Sequence, residues 1–355
     1  MAVHFHPLQI QNITKETDEA VVITFAIPVA LQSIFGYTHG QNITLKAVIE
    51  NEEVRRSYSI CTAPHQGILS VAIKQVLGGK FSSFANQQLK KGDTLQVLPP
   101  TGKFSTVLNK NNTKQYLAIA AGSGITPILS IITSTLYTEP NSSFTLLYSN
   151  KNKSSIMFFE ALQGLKNKYP QRFNLINLLS RERTDAEIFF GRIDLQKLQQ
   201  LNGLLHFNTF TDIFICGPET MIFCATEYFA SLGIAAHQIH FELFGKTVAH
   251  TTKVVAAATN NATSNITIKV DGRSFDFAMN NSSSNILDEA LKQGADLPFA
   301  CKGGVCCTCK AKLVSGQVTM DANWGLEHDE LAQGFILTCQ AHPTTPTVVI
   351  NFDER

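Results

Sequence analysis

Charge is what this sequence has least of. Lys, Arg, Asp and Glu together make up only 16% of its 355 residues, and 29 basic side chains nearly cancel 28 acidic ones, for a net charge of +1. There is no run of Lys and Arg to grip a phosphate backbone, so nucleic acid is not an expected partner. No basic patch followed by an apolar stretch stands at Met1-Ala2-Val3-His4-Phe5-His6-Pro7, so no secretory signal is read there. Long hydrophobic runs are also missing. The longest candidate, Tyr116 to Thr133, is broken by Gly122-Ser123-Gly124 and Pro127, which fits a buried strand, a glycine turn and a helix start better than a membrane span. No internal repeat and no acid–base dyad is visible. These absences point to a cytoplasmic protein whose partners are small molecules or other proteins.

Apolar residues are plentiful, at 44%, enough to bury the cores of two or three domains. Residues 1–108 carry short apolar runs at Val21–Ile27, Asn42–Ile49, Ile68–Ile73 and Thr94–Leu98, separated by Gly, Pro and Asn. That pattern predicts a small β-barrel. Over 113–246, apolar runs at 116–121, 144–149, 173–179, 212–216 and 239–244 alternate with helical periods at Ile128–Leu136 and Glu219–Leu232. The alternation predicts a parallel sheet covered by helices. Residues 247–264, almost wholly Thr, Ala, Asn, Val and Ser, read as a linker of 18 residues, about 23 Å end to end as a flexible coil. In 265–355 a hairpin is expected around Asp271-Gly272, then a helix at Ile286–Gln293 and strands at Cys309–Leu313 and Val348–Phe352.

Five of the eight cysteines fall between positions 301 and 339. Cys301, Cys306 and Cys309 follow the spacing C-x4-C-x2-C, and 29 residues separate Cys309 from Cys339. This is the plant-type arrangement for a [2Fe–2S] cluster, whose iron requires soft thiolate donors. A zinc ribbon would show two C-x2-C pairs, whereas one is present, and a Rieske centre would need two histidines that the motif lacks. Cys307 falls outside the spacing and reads as a small filler, with a swapped ligand as the alternative. Cys61 and Cys224 read as core residues.

Arg56-Ser57-Tyr58-Ser59 and Gly79-Lys80-Phe81-Ser82-Ser83 lie in the first block, Ala121 to Pro127 in the second, and Cys216-Gly217-Pro218-Glu219 after the strand at 212–216. In this order they resemble the ferredoxin–NADP reductase superfamily. The resemblance implies that Arg56 pairs with a flavin phosphate, Tyr58 stacks on the ring and Ser59 bonds near its N5. It also implies that Gly79, Ser82 and Ser83 receive the pyrophosphate. Gly122, Gly124, Thr126 and Pro127 would receive the nicotinamide dinucleotide, with Pro127 standing where an ordinary G-x-G-x-x-G has its last glycine. Cys216, with Gly217 and Pro218, would sit beside the nicotinamide carbon that gives up hydride, so Ser59 and Cys216 are the candidate catalytic residues. Ser180 and Arg181 suit a 2′-phosphate and favour NADPH, with Glu182 leaving NADH open. FAD is expected, with FMN as the alternative.

Flavin, nucleotide and C-terminal β-grasp ferredoxin, in that order, resemble the reductase components of multicomponent bacterial oxygenases. The stretches His4–Leu8, Cys301–Lys310, Leu326–Leu331 and Leu337–Gln340 are most similar to the phenylacetyl-CoA epoxidase reductases. The acceptor implied is a multisubunit di-iron oxygenase acting on an aromatic CoA thioester. The 3-ketosteroid 9α-hydroxylase reductases share the layout. A non-enzymatic electron carrier or redox sensor is the reading from another class, but it has no use for a hydride site.

Overall fold

The computed structural model describes residues 4–244, 263–280 and 284–354. The chain forms two compact units, one holding the first two sheets and the other the third.

The first sheet contains β1 (His6–Thr17), β2 (Ala20–Ala26), β3 (Asn42–Ile49), β4 (Glu52–Ser59), β5 (Leu69–Lys74) and β6 (Thr94–Val97), in the order β4-β3-β6-β1-β2-β5. Its edge strands meet where Ile60 bridges Val71, which closes the barrel. Leu8, Ile10, Ile23, Ile43, Leu45, Val71 and Ile73 fill the interior, capped by helix α1 (Lys80–Gln87) through Phe81 and Ala85. Two strands, β1 and β4, escape the expected apolar pattern. In HPLQIQNITKET only Leu8 and Ile10 are buried, and EEVRRSYS is mostly charged or polar. Strands with a polar outer face carry too few apolar residues to announce themselves by periodicity alone.

The second sheet is parallel. Its strands are β7 (Gln115–Ala121), β8 (Ser143–Asn150), β9 (Phe173–Leu179), β10 (Asp212–Gly217) and β11 (Ile239–Leu243), in the order β11-β10-β7-β8-β9. Helices α2 (Ile125–Thr138), α3 (Phe159–Lys168), α4 (Leu195–Leu205) and α5 (Glu219–Ser231) provide the crossovers. The chain leaves β7 toward β8 on one side and returns to β10 on the other, so the switch point lies between the ends of β7 and β10. Ligands bind at such a crevice in open α/β sheets.

The third sheet is a β-grasp. Strands β12 (Thr263–Val270), β13 (Arg273–Asn280), β14 (Lys310–Ser315), β16 (Phe335–Leu337) and β18 (Thr347–Asn351) run in the order β13-β12-β18-β14-β16. Strands β15 (Val318–Met320) and β17 (Ala341–Pro343) form a separate pair, and helices α6 (Ile286–Lys292) and α7 (His328–Ala332) complete the unit. Asp271 and Gly272 have φ of 51° and 69°, the left-handed pair that a tight two-residue hairpin demands. The linker reading needs one correction. Thr263 and Ser264 pair with Asn280 and Met279 and so begin β12. Ser264 is buried and its hydroxyl donates to the Thr345 carbonyl at 2.7 Å, a partner that no local pattern reveals. Residues 247–262 lie outside those described.

Candidate functional site

Strand β4 carries Arg56, Tyr58 and Ser59. Because side chains alternate along a strand, Arg56 and Tyr58 share one face while Ser59 points to the other. Arg56 is exposed, and its guanidinium donates to the Arg55 carbonyl at 2.7 Å. Tyr58 is half-buried, its ring 5.7 Å from that of Phe81. Phe81 belongs to the first turn of α1, so the phosphate-motif helix and the tyrosine are packed together. Gly78, with φ of 72°, and Gly79 lead into that helix. A Cβ on Gly79 would lie 2.5 Å from the Ser82 hydroxyl. That hydroxyl accepts from the Val76 N–H and donates to the Gly79 carbonyl, both at 3.1 Å. Ser82 is therefore bound into the turn and shapes it, while Ser83 is half-buried and accepts from Gln75 at 3.4 Å. The first-turn N–H groups that have no intrahelical partner are the phosphate donors this helix can offer.

At the switch point the glycines have different tasks. Gly122 has φ of 54°, with open space where a Cβ would stand. Gly124 is in helical conformation, but a Cβ there would lie 2.1 Å from the Cys216 carbonyl oxygen, so only glycine lets the turn abut the end of β10. A Cβ on Gly217 would lie 3.0 Å from that of Ala121. Tyr148 of β8 holds the turn from the other side through a 3.0 Å bond to the Gly122 carbonyl. Thr126 is buried, with its hydroxyl on the Ser123 carbonyl at 3.0 Å. Pro127 stands in the first turn of α2, where the N–H it lacks has no intrahelical partner to lose. Pro218 precedes the first residue of α5 in the same way.

Cys216 is fully buried. Burial first, and the charge of Glu242 second, push its thiol well above its ordinary pKa, so it stays protonated. Glu242 is its neighbour across the β10–β11 ladder. The Ser59 hydroxyl donates to Glu242 at 2.8 Å. One chain of contacts thus joins the barrel strand that carries Tyr58 to the switch point of the parallel sheet. Sequence reasoning misses Glu242. It lies in the apolar stretch Ile239–Phe244, and the only signal is an acid at an otherwise apolar strand end.

Ser180 and Arg181 follow β9 and donate their backbone N–H groups to the Asn150 and Lys151 carbonyls at 2.9 and 2.8 Å. Arg181 is exposed, and the Glu182 carboxylate accepts from the Lys153 N–H at 2.8 Å. The acid next to these two residues is therefore engaged by the loop after β8.

In the third sheet the cysteine loop contains three left-handed residues, Lys302 (φ 51°), Gly304 (74°) and Cys307 (54°). They turn backbone N–H groups inward, and the Gly303 N–H reaches Cys301 Sγ at 3.3 Å. Val305 also donates to Cys301, and Gly304 donates to Cys339. The four sulfurs meet as two pairs, Cys301 with Cys306 and Cys309 with Cys339. In each pair one thiol donates to the other, which holds Cys306 and Cys339 low while Cys301 and Cys309 are raised. Two pairs of soft donors surrounded by N–H groups fit a sulfide-bridged pair of irons, since the donors stabilise negative sulfur.

Three family descriptions match the chain: an oxidoreductase FAD-binding domain over residues 7–106, an oxidoreductase NAD-binding domain over 118–227, and a 2Fe-2S iron-sulfur cluster binding domain over 268–344. The chain is 45% identical to one of the subunits of the 1,2-phenylacetyl-CoA epoxidase of Escherichia coli, covering 99% of this chain and 98% of that one. It is 32% identical to the ferredoxin reductase component of 3-ketosteroid-9-alpha-monooxygenase of Mycobacterium tuberculosis, covering 99% and 97%. Phthalate dioxygenase reductase has the same fold, with a TM-score of 0.56 at 20% identity over 98% of each chain. Among the described residues no helix is long and apolar enough to cross a membrane. The chain belongs to the ferredoxin–NADP reductase-type oxygenase reductases, in which FAD-binding and NAD-binding domains are followed by a [2Fe–2S] ferredoxin domain.

Proposed function

We propose that this protein draws electrons from NADPH and delivers them to a multisubunit di-iron oxygenase acting on an aromatic CoA thioester. When bound, FAD would supply the chemistry that accepts a two-electron hydride and releases electrons singly, and a [2Fe–2S] cluster would supply a one-electron carrier. The residues around these groups bind, orient and insulate. Arg56 supplies the charge and planar fork for a flavin phosphate. Tyr58, braced by Phe81, offers a flat face to the ring. Gly79, Ser83 and the first turn of α1 hold the pyrophosphate, with Ser82 fixing the turn. Gly122, Gly124, Thr126 and Pro127 shape the dinucleotide cradle.

The contact from Ser59 to Glu242 beside Cys216 is the observation that carries this reading. It puts a hydroxyl donor, a carboxylate and a neutral thiol in one line between the two binding elements. Ser59 holds its hydroxyl at the flavin strand, Glu242 fixes that hydroxyl's orientation, and Cys216 with Gly217 and Pro218 shapes the nicotinamide wall. Ser180 and exposed Arg181 suit a 2′-phosphate, and Glu182 is occupied by Lys153, which favours NADPH over NADH. Cys301, Cys306, Cys309 and Cys339 are the cluster ligands. The four segments proposed for flavin, nucleotide, tether and ferredoxin are 1–108, 113–246, 247–262 and, with β12 starting at Thr263, 263–355.

The acceptor follows from the 45% identity across essentially the whole chain, against 32% for the steroid-oxygenase reductase. No disulfide joins the described cysteines, in keeping with a reducing cytoplasm. The test is anaerobic titration with NADPH and with NADH, followed by mixing with each type of oxygenase. Bleaching of flavin and cluster by NADPH, and reoxidation by the di-iron oxygenase alone, is the expected result. A protein that NADPH does not bleach sinks the reading.

A further inference from the structure

Cys307 is the one cysteine of the cluster loop outside the ligand spacing. It adopts a left-handed conformation, φ 54°, that costs a non-glycine residue roughly 1 kcal/mol. Its thiol donates to the carbonyl of Gly325. Gly325 in turn donates its N–H to the Gly304 carbonyl at 2.8 Å. The segment Asp321–Leu326, between β15 and α7, is therefore tied to the cluster loop from both sides of one residue. Its fit is close: a Cβ on Gly325 would lie 2.8 Å from Cys307 Sγ, and one on Gly304 would lie 2.9 Å from the Ala322 carbonyl oxygen. Two further contacts anchor the strap at its start. The Asp321 N–H donates to the Gln340 carbonyl at 3.0 Å, and the Asp321 carboxylate meets His342 at 2.9 Å. Trp324, the single tryptophan of the chain, rides on this strap and is 43% exposed.

We propose that Cys307 is a positioning residue whose thiol holds the Asp321–Leu326 strap down on the cluster loop and keeps water from the cluster. The inference rests on Cys301, Cys306, Cys309 and Cys339 being the ligands. Reduction adds negative charge to the cluster, and water stabilises that charge, so a closed strap keeps the reduction potential low. A low potential makes the cluster the stronger donor to the oxygenase.

The test uses the full-length holoprotein with two variants. Cys307→Gly removes the thiol and is at ease with positive φ, whereas Cys307→Ser keeps a donor for the same carbonyl. Iron and acid-labile sulfide are measured first, and wild-type content is expected in both. Loss of the cluster in both variants would make Cys307 a ligand and overturn the proposal. At a fixed applied potential near the wild-type midpoint, the reduced-to-oxidised ratio of Cys307→Gly should rise at least threefold, equivalent to about 28 mV at 59 mV per tenfold for one electron. Acrylamide quenching of Trp324 fluorescence should at least double in the same variant. Cys307→Ser should restore both values. Wild-type ratio and quenching in Cys307→Gly, or a serine variant that behaves like the glycine one, would overturn the proposal. A wild-type protein without [2Fe–2S] absorption would instead defeat the ligand reading, and the Trp324 measurement separates the two failures.

Discussion

Replacing Gly124 by alanine isolates sterics from backbone strain. Gly124 has φ of −60°, which any residue adopts, so the substitution brings no conformational penalty. Its new methyl would stand 2.1 Å from the Cys216 carbonyl oxygen, 2.5 Å from that carbonyl carbon and 2.9 Å from the Gly217 nitrogen. All three neighbours are backbone at the end of a central strand, and none can rotate away. Relief requires the β7–α2 turn and the end of β10 to part by roughly 1.4 Å, the difference between 2.1 Å and a carbon contact near 3.5 Å. Overpacking of this kind costs about 1–3 kcal/mol of stability. A displacement of about 1 Å at a reacting centre costs on the order of a hundredfold in rate. Stopped-flow flavin reduction by NADPH should therefore slow about a hundredfold in Gly124→Ala. Reduction of the cluster by dithionite should be unchanged, because the cluster lies in another unit. Gly233→Ala, just after α5 and outside the binding elements, is the control: there φ is 80° and the space is open, so the expected loss is roughly 1 kcal/mol of stability with little change in rate. A Gly124→Ala protein that reduces its flavin within twofold of wild type would refute the reasoning.

Ser59→Ala removes the donor to Glu242, a hydrogen bond to a charged group worth about 1.5–3 kcal/mol. NADPH-driven flavin reduction should fall by about ten- to a hundredfold at unchanged flavin content, and stopped-flow absorbance separates the two. Glu139 is fully buried and accepts from the Asn109 N–H at 3.0 Å, Asn112 at 2.6 Å, Tyr116 at 2.9 Å and Ser142 at 2.7 Å. Glu139→Ala strands these donors at roughly 1–3 kcal/mol for each left unsatisfied, so urea unfolding should show a loss of at least about 3 kcal/mol. His39 is buried, and its pKa is lowered chiefly by that burial, against the raising influence of a Thr106 backbone bond and the Glu139 charge. The unfolded chain then binds the proton more readily than the folded one. Stability is full above pH 6.5 and falls as the pH drops through the folded-state value. Urea midpoints measured from pH 7.5 to 5 should show this decline, with a shallower slope in His39→Gln.

What the sequence determined by itself was local chemistry. Cys301, Cys306 and Cys309 are a cluster motif because their separations fall within one loop, and spacing is then a sufficient description. The central strands of the parallel sheet were legible for a related reason: Tyr116–Ala120 of β7 and Asp212–Cys216 of β10 are buried without alternation and read as apolar runs, while edge strand β9 still coincides with 173–179. Asn42–Ile49 coincides with β3. Strands β1 and β4 were not legible, since only one face of each meets the barrel core. Tertiary structure alone decided the contacts that join distant residues. Glu242 gains its meaning from Ser59, 183 positions earlier, and no local periodicity encodes that meeting. Gly124 reads as a phosphate-loop glycine, yet its requirement comes from the Cys216 carbonyl across the sheet. Cys307 reads as filler until the fold lays Gly325 against its thiol. Spacing along the chain fixes which donors a single loop can offer. Packing between loops fixes which of them are already engaged.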